Sequence, residues 1–186
     1  KDLALENAII HAQPEAAKIL LEHGAVWNPP IEAWSHSNIL LYTADNKDLE
    51  TLQLLLEYGY PLDEEIVFYT MLEAAQSGGI DFLKFFIDLG YFPDMKGVDP
   101  NQGTDLLYAA CAFRQMETIK FLIELGVDPR SDSRCLRIAV EQHNMGLISY
   151  LLSQGVNPDS VVVYEDGSTS GSPKEIAQRL GMEDVL

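Results

Sequence analysis

One short phrase recurs along the chain and constrains its fold more than any other feature. Three apolar residues are followed by two mostly polar residues and then by glycine, as in Leu54-Leu55-Leu56 before Gly59. The glycines that end these phrases stand 35, 31, 36 and 29 positions apart, and they are Gly24, Gly59, Gly90, Gly126 and Gly155. A mean period of about 33 residues indicates a repeat protein, in which each repeat packs only on its neighbours.

Each phrase has the pattern of a helix that stops at its glycine. In the second copy, Leu49, Leu52, Leu55 and Leu56 share one helical face. Glycine ends a helix well because it enters the left-handed conformation without a steric penalty, and a proline follows each glycine within a few residues. A shorter helix is predicted upstream, because a small residue stands 16 positions before every glycine: Ala8, Thr43, Ala74, Ala110 and Ala139.

These upstream helices resemble the first helix of ankyrin repeats, whose family pattern is Thr-Pro-Leu-His-x-Ala-Ala. The best copy is Ser172-Pro173-Lys174-Glu175-Ile176-Ala177, in which a capping hydroxyl precedes a proline at the first helical position. The pattern's histidine is replaced in every copy. A tetratricopeptide array has a similar period, but its Trp, Tyr and Pro anchors are not found in register.

The resemblance implies an all-α fold, an ankyrin repeat solenoid of stacked helix-turn-helix units joined by loops and β-turns. It covers almost the whole chain, which is expected to be a single domain, 1–186. The expected repeats are residues 1–29, 30–63, 64–95, 96–130, 131–160 and a partial sixth at 161–186.

The charge of the chain disfavours two classes of partner. The chain carries 29 Asp and Glu against 12 Lys and Arg, a formal net charge of -17. Nucleic acid and anionic membranes are disfavoured, since both need clustered Lys and Arg. Eight of the acids stand nine or two residues before the repeat glycines, and Asp184 has the equivalent place in the partial sixth copy. This pattern predicts dipole matching at helix starts and a solvated outer face. Most of the net charge lies in residues 1–100, with 17 acids and 5 lysines.

Three arginines, Arg130, Arg134 and Arg137, cluster where the fifth repeat opens. One interpretation is that they are counter-charges for a neighbouring acidic repeat. The other is a carboxylate- or phosphate-binding spot, because arginine presents a planar fork of donors. The sequence leaves both open.

No motif for catalysis, a metal or a cofactor is found, so we expect a protein that is not an enzyme and holds no cofactor. The acidic run Asp63-Glu64-Glu65 lacks EF-hand spacing, and Gly78-Gly79 matches a turn between helices rather than a phosphate-binding loop. Cys111 is expected to be a small core residue. The chain shows no signal peptide and no apolar run of bilayer length, which favours a cytoplasmic or intracellular monomer.

The family resemblance implies that the chain binds a partner protein through a concave face of loop tips and first helices. We expect that partner to have a basic or mixed-charge surface. The register predicts these contact positions: Trp34, His36, Asp45, Asn46, Phe68, Gln76, Ser77, Gln102, Phe113, Arg130, Ser133, Glu141 and Gln142. The aromatic members are hot-spot candidates, because aromatic side chains supply large contact area at low entropic cost.

Two further functions remain open at this point. The chain begins without an initiator Met, so it could be a regulatory or targeting segment of a larger enzyme, such as a secreted effector. It could also be an acidic inhibitor or immunity protein that neutralises a basic toxin or nuclease. The length of the native reading frame tests the first alternative, and very tight one-to-one binding to a single partner would favour the second.

Overall fold

A computed structural model describes residues 2–26, 39–91, 100–161, 169 and 171–186, with only the backbone described at 100–102 and 183. Within these ranges the regular structure is helical. The α-helices are α1 Asp2–Ile10, α2 Pro14–Glu22, α3 Ile39–Asp45, α4 Leu49–Glu57, α5 Glu64–Ser77, α6 Ile80–Asp88, α7 Pro100–Ala112, α8 Met116–Leu125, α9 Arg134–Glu141, α10 Met145–Ser153 and α11 Pro173–Arg179. A 3-10 helix, Glu183–Val185, follows α11. The predicted all-α fold class is confirmed.

The helices form pairs, and each pair lies inside one of the repeats expected from the sequence. In repeats one to five, the first helix packs on the second helix that follows it in the chain. The chain divides into two compact units, Lys1–Pro93 and Asp94–Leu186, which hold three repeats each. In the first unit α3 packs between α1 and α5, and in the second unit α9 packs between α7 and α11. First helices therefore form a row within each unit.

The small residues predicted in the first helices lie in the core. Ala8 is 4% exposed, and the equivalent Thr43, Ala74, Ala110 and Ala139 are fully buried. A short side chain at this position lets neighbouring first helices approach closely. Larger apolar residues fill the remaining space in each unit: Leu5, Ile9, Leu40, Leu52, Met71, Phe82 and Phe86 in the first, and Leu106, Leu107, Leu136, Leu147 and Leu151 in the second.

Each second helix ends at its repeat glycine, as the sequence predicts. At Gly59 the backbone has φ +83°, a left-handed value that a side chain would strain. Its N–H donates to the Leu56 carbonyl at 3.0 Å, and the next N–H, of Tyr60, donates to the Leu55 carbonyl at 3.0 Å. These bonds satisfy carbonyls that the end of a helix leaves without partners.

The acids predicted at helix starts are found there. Glu15, Glu50, Asp81 and Glu117 stand in the first turns of α2, α4, α6 and α8, and all are exposed to solvent. The positive end of the helix dipole favours an anion at this place by roughly 0.3–1 kcal/mol. Among the described helices, none combines the length and the apolarity needed to cross a membrane.

The turn between the two helices of each repeat holds a second left-handed residue, 12 positions before the glycine. In the third repeat this residue is Gly78, with φ +81°. In the other four full repeats it carries a side chain, and φ lies between 48° and 60°: Ala12, Lys47, Arg114 and His143. A non-glycine residue in this conformation costs about 1–2 kcal/mol, so these turns are strained.

The strain predicts that replacement of Lys47 by glycine stabilises the fold. The Lys47 side chain is exposed, so Lys47→Gly should raise the free energy of unfolding by about 1 kcal/mol or slightly less, after the greater freedom of glycine in the unfolded chain is counted. Denaturant unfolding measures the change. The opposite replacement, Gly78→Ala, should lower stability by a similar amount, and a Lys47→Gly variant no more stable than the parent would contradict the prediction.

Candidate protein-binding surface

Three residues predicted as partner contacts also join neighbouring repeats. Each is polar, stands 13 positions before a repeat glycine, and donates a hydrogen bond to a carbonyl at the end of the preceding first helix. The bonds run from Asn46 to the Ile10 carbonyl at 2.9 Å, from Ser77 to the Ala44 carbonyl at 3.0 Å and from Gln142 to the Ala112 carbonyl at 2.7 Å. Carbonyls at a helix end have no intrahelical partner, so these side chains satisfy them.

In the second unit this contact extends into a small network. The Nε atom of Arg114 donates to the Gln142 side-chain oxygen at 2.8 Å, and a terminal nitrogen of Arg114 donates to the Gln142 carbonyl at 3.1 Å. Gln142 therefore accepts from repeat four through two oxygens and donates to repeat four through its amide nitrogen. The sequence signal for this role is a polar residue repeated at one register position.

Arg134 connects the fifth repeat to the fourth. Its Nη2 atom lies 2.7 Å from Oδ1 of Asp105 on α7, and its Nε atom pairs with the carboxylate of Asp132. The guanidinium carbon also lies 5.0 Å from the centre of the Tyr108 ring, within the range of a cation–π contact. Arg134 is thus the counter-charge for an acidic neighbouring repeat that the sequence suggested as one of two roles.

The other two arginines of the cluster also contact carboxylates of their own unit. Arg130 Nε lies 2.9 Å from Oδ1 of Asp128, and its guanidinium holds the pKa of that carboxyl below the ordinary value. Arg137 Nε lies 2.9 Å from Oε1 of Glu141. The whole cluster therefore has internal carboxylate partners, which favours the counter-charge interpretation over an anion-binding spot.

Asp45 and Glu73 form an acidic pair on the first helices of the first unit. Asp45 ends α3 and is exposed, whereas Glu73 lies on α5 and is half-buried. The pKa of Glu73 is raised, first because burial disfavours its charged form and then because of the charge of Asp45. The two carboxylates therefore lie close enough to repel each other.

No cation compensates the acidic pair within the part of the first unit that the structure describes. The lysines described there lie elsewhere: Lys18 on α2, Lys47 in a turn and Lys84 on α6. Neither Asp45 nor Glu73 forms an ion pair with any described residue. The first-helix surface of this unit is consequently acidic, while that of the second unit carries arginines paired with carboxylates.

The remaining predicted contacts have different degrees of exposure. Phe113, at the end of α7, is 57% exposed, whereas Phe68 is half-buried with its ring edge-on to Tyr69 at 5.8 Å. Ser133 is only 7% exposed, which leaves little surface for a partner, and Gln76 is half-buried. Trp34 and His36 lie outside the described residues, and at Gln102 only the helical backbone is described.

The acidic run at 63–65 has a structural explanation. Asp63 caps α5, because its carboxylate accepts a hydrogen bond from the Ile66 backbone N–H at 2.8 Å, and Glu64 and Glu65 occupy the first turn. The described ranges contain no group of three or more His, Cys, Asp or Glu residues placed to hold a metal ion.

Comparison with known proteins supports the family resemblance. A sequence profile described as ankyrin repeats matches residues 71–161 in three copies. Residues 71–161 belong to the ankyrin repeat family. A crystal structure of the human ASB11 ankyrin repeat domain is similar to it, with a TM-score of 0.65 and 20% sequence identity over 97% of this chain and 80% of that chain. No curated protein sequence matches. Ankyrin repeats are in general protein–protein interaction modules, and arrays of repeats provide extended binding surfaces.

The contacts between ankyrin repeats predict a stability loss for Gln142→Ala. The change removes the bond to the Ala112 carbonyl and leaves Arg114 without its acceptor side chain, so the free energy of unfolding should fall by about 1–2 kcal/mol. Gln53→Ala, at an exposed position of α4, is the matched control and should change stability by less than about 0.5 kcal/mol. Equal effects of the two changes would contradict the assigned role of Gln142.

The acidic pair predicts a pH-dependent gain in stability for Glu73→Gln. The folded-state pKa of Glu73 lies above its unfolded value, so ionisation penalises the folded state above the folded pKa, and this penalty disappears as pH falls below the unfolded pKa. Glu73→Gln should therefore raise the free energy of unfolding at pH 7 by less than about 1 kcal/mol, since the side chain is partly solvated. The melting temperature should rise accordingly. The difference from the parent should vanish near pH 4. A difference independent of pH would contradict this cause.

Proposed function

We propose that this ankyrin repeat chain is a non-enzymatic module that binds a partner protein through the first-helix surfaces of its two units. The observation that supports this most directly is the acidic pair, Asp45 and Glu73, which the described part of the first unit leaves without a counter-charge. The partner is a protein that presents a basic side chain to this surface.

A basic side chain from a partner would relieve two costs at once. It would offset the repulsion between Asp45 and Glu73, and it would stabilise the charged form of the half-buried Glu73. Neighbouring bonds pre-organise the pair, because Asn46 and Ser77 tie α3 to α1 and α5 to α3. A surface held in this way loses little conformational freedom on binding.

The second unit contributes a different kind of contact. Arg130, Arg134 and Arg137 already contact carboxylates, so a charged partner would have to compete with existing ion pairs there. Among the predicted contacts described in this unit, Phe113 is the exposed aromatic residue, with 57% of its surface open to solvent. We assign to it the role of an apolar anchor, because aromatic residues dominate interface energetics.

Substitutions that remove the charge but keep the shape of each side chain test the role of the acidic pair. Affinity capture from the native host identifies the partner, and association with that purified partner is then measured for an Asp45→Asn, Glu73→Gln double variant. We expect association to slow by about tenfold at low salt, with a weaker salt dependence, because the attraction that steers the encounter is lost.

A second double variant separates this local effect from the effect of net charge. Glu50→Gln with Glu57→Gln removes the same charge from exposed positions of α4, which is a second helix and not part of the first-helix surface. It should bind nearly as fast as the parent. The proposal fails if both double variants slow association equally, or if the Asp45 and Glu73 variant binds at the parental rate.

Phe113→Ala tests the apolar anchor in the second unit. The side chain is 57% exposed, so truncation should leave the melting temperature within about 1–2 °C of the parent while affinity falls by more than about fivefold. Tyr58→Ala is the control, because Tyr58 is 49% exposed but follows a second helix. Unchanged affinity for the Phe113 variant would remove this residue from the interface.

A further inference from the structure

The two cysteines of the chain meet at the junction between repeats four and five. Cys111 lies on α7 and is fully buried, and Cys135 lies on α9 and is 2% exposed. The two helices pack on each other, both cysteines are free, and the two thiols lie close enough to interact. The sequence predicted Cys111 only as a small core residue and gave no reason to pair it with Cys135.

The repeat register explains why these two positions meet. Cys111 stands 15 residues before the glycine of its repeat, and Cys135 stands 20 residues before the glycine of the next. The same pair of positions at the junctions of the first unit is occupied by Ile9 with Ile39 and by Ala44 with Thr70, and all four residues are fully buried. Only at the junction of α7 and α9, among the described residues, do two thiols stand at these positions.

We propose that Cys111 and Cys135 are a latent disulfide site, which a peroxide closes to lock repeat four to repeat five. The site is a covalent modification site in the core of the second unit. It does not depend on the proposed binding function, because the bond forms between two side chains of the same unit.

The reaction balances without a further reactant. One thiolate attacks a peroxide oxygen, the O–O bond breaks, and the leaving hydroxide takes the thiol's proton to become water. The sulfenic acid formed in this way is attacked by the second sulfur, so that the S–O bond breaks and a second water leaves. Overall the two thiols lose two hydrogen atoms, and hydrogen peroxide is reduced to two molecules of water.

The surroundings of the pair make the reaction slow. Burial raises the pKa of the Cys135 thiol well above its ordinary value, and the neighbouring Cys111 thiol acts in the same direction. The charge of Asp132 adds to this, while Arg134 opposes it. Oxidation must therefore pass through local opening of the junction, so the site responds to sustained oxidant rather than to a brief exposure.

The test is oxidation of the folded chain with hydrogen peroxide. Peptide mapping without reduction should show a peptide that contains residue 111 linked to one that contains residue 135, with the mass of two hydrogen atoms lost. The bond closes a loop of about 25 residues, so the melting temperature should rise by about 5–10 °C and return to its initial value after reduction with a dithiol. Cys111→Ser and Cys135→Ser should each abolish both effects.

An engineered pair at the equivalent junction controls for geometry. Ala44→Cys with Thr70→Cys, in a chain that also carries Cys111→Ser and Cys135→Ser, places thiols at the same register positions of the first unit. If the engineered pair forms a disulfide and the native pair does not, residues at these two register positions are close enough to be linked but the native thiols do not react. That result would overturn the proposal. Two free thiols after denaturation of the oxidised parent, sulfinic acid at either position, or links between chains alone would overturn it as well.

Discussion

Close approach of neighbouring first helices is the constraint on which the rest of this structure depends. Ala8, Thr43 and Ala74 stand where larger side chains would hold α1, α3 and α5 apart, and the Thr43 hydroxyl donates to the Leu40 carbonyl at 2.7 Å rather than remaining unsatisfied. The short distance brings helix-end carbonyls within reach of the next repeat's side chains. It also brings carboxylates of adjacent repeats together in the first unit and thiols together in the second.

The sequence predicted the features that local sterics control. The period, the paired helices, the left-handed glycines and the acids at the starts of second helices all follow from one repeated register, and the structure has each of them. The roles of adjacent polar residues could not be predicted in the same way. Asp45 and Asn46 are neighbours in sequence, but one residue turns the side chain by about 100° around a helix. Asp45 therefore faces solvent and Glu73, while Asn46 reaches the preceding repeat.

Ion pairs between residues far apart in the sequence could not be predicted from the sequence either. The cluster of Arg130, Arg134 and Arg137 left two interpretations open, because the partner that distinguishes them, Asp105, stands 29 residues before Arg134. The different charge of the two units also depends on contacts between residues that are far apart in the sequence. In the second unit arginines neutralise carboxylates across and within repeats, whereas in the first unit the acidic pair has no such neighbour among the described residues. The net charge of -17 is thus unevenly balanced along the chain, which composition alone does not show.

The left-handed turns inside the repeats have a consequence for how the second unit unfolds. A side chain at this position strains the turn, but at Arg114 the same side chain holds Gln142 of the following repeat. The strain belongs to repeat four alone, while the compensating bonds exist only when repeat five is folded. Repeat four is therefore poorly suited to persist by itself, and this linkage favours unfolding of the two repeats as one cooperative step rather than one after the other.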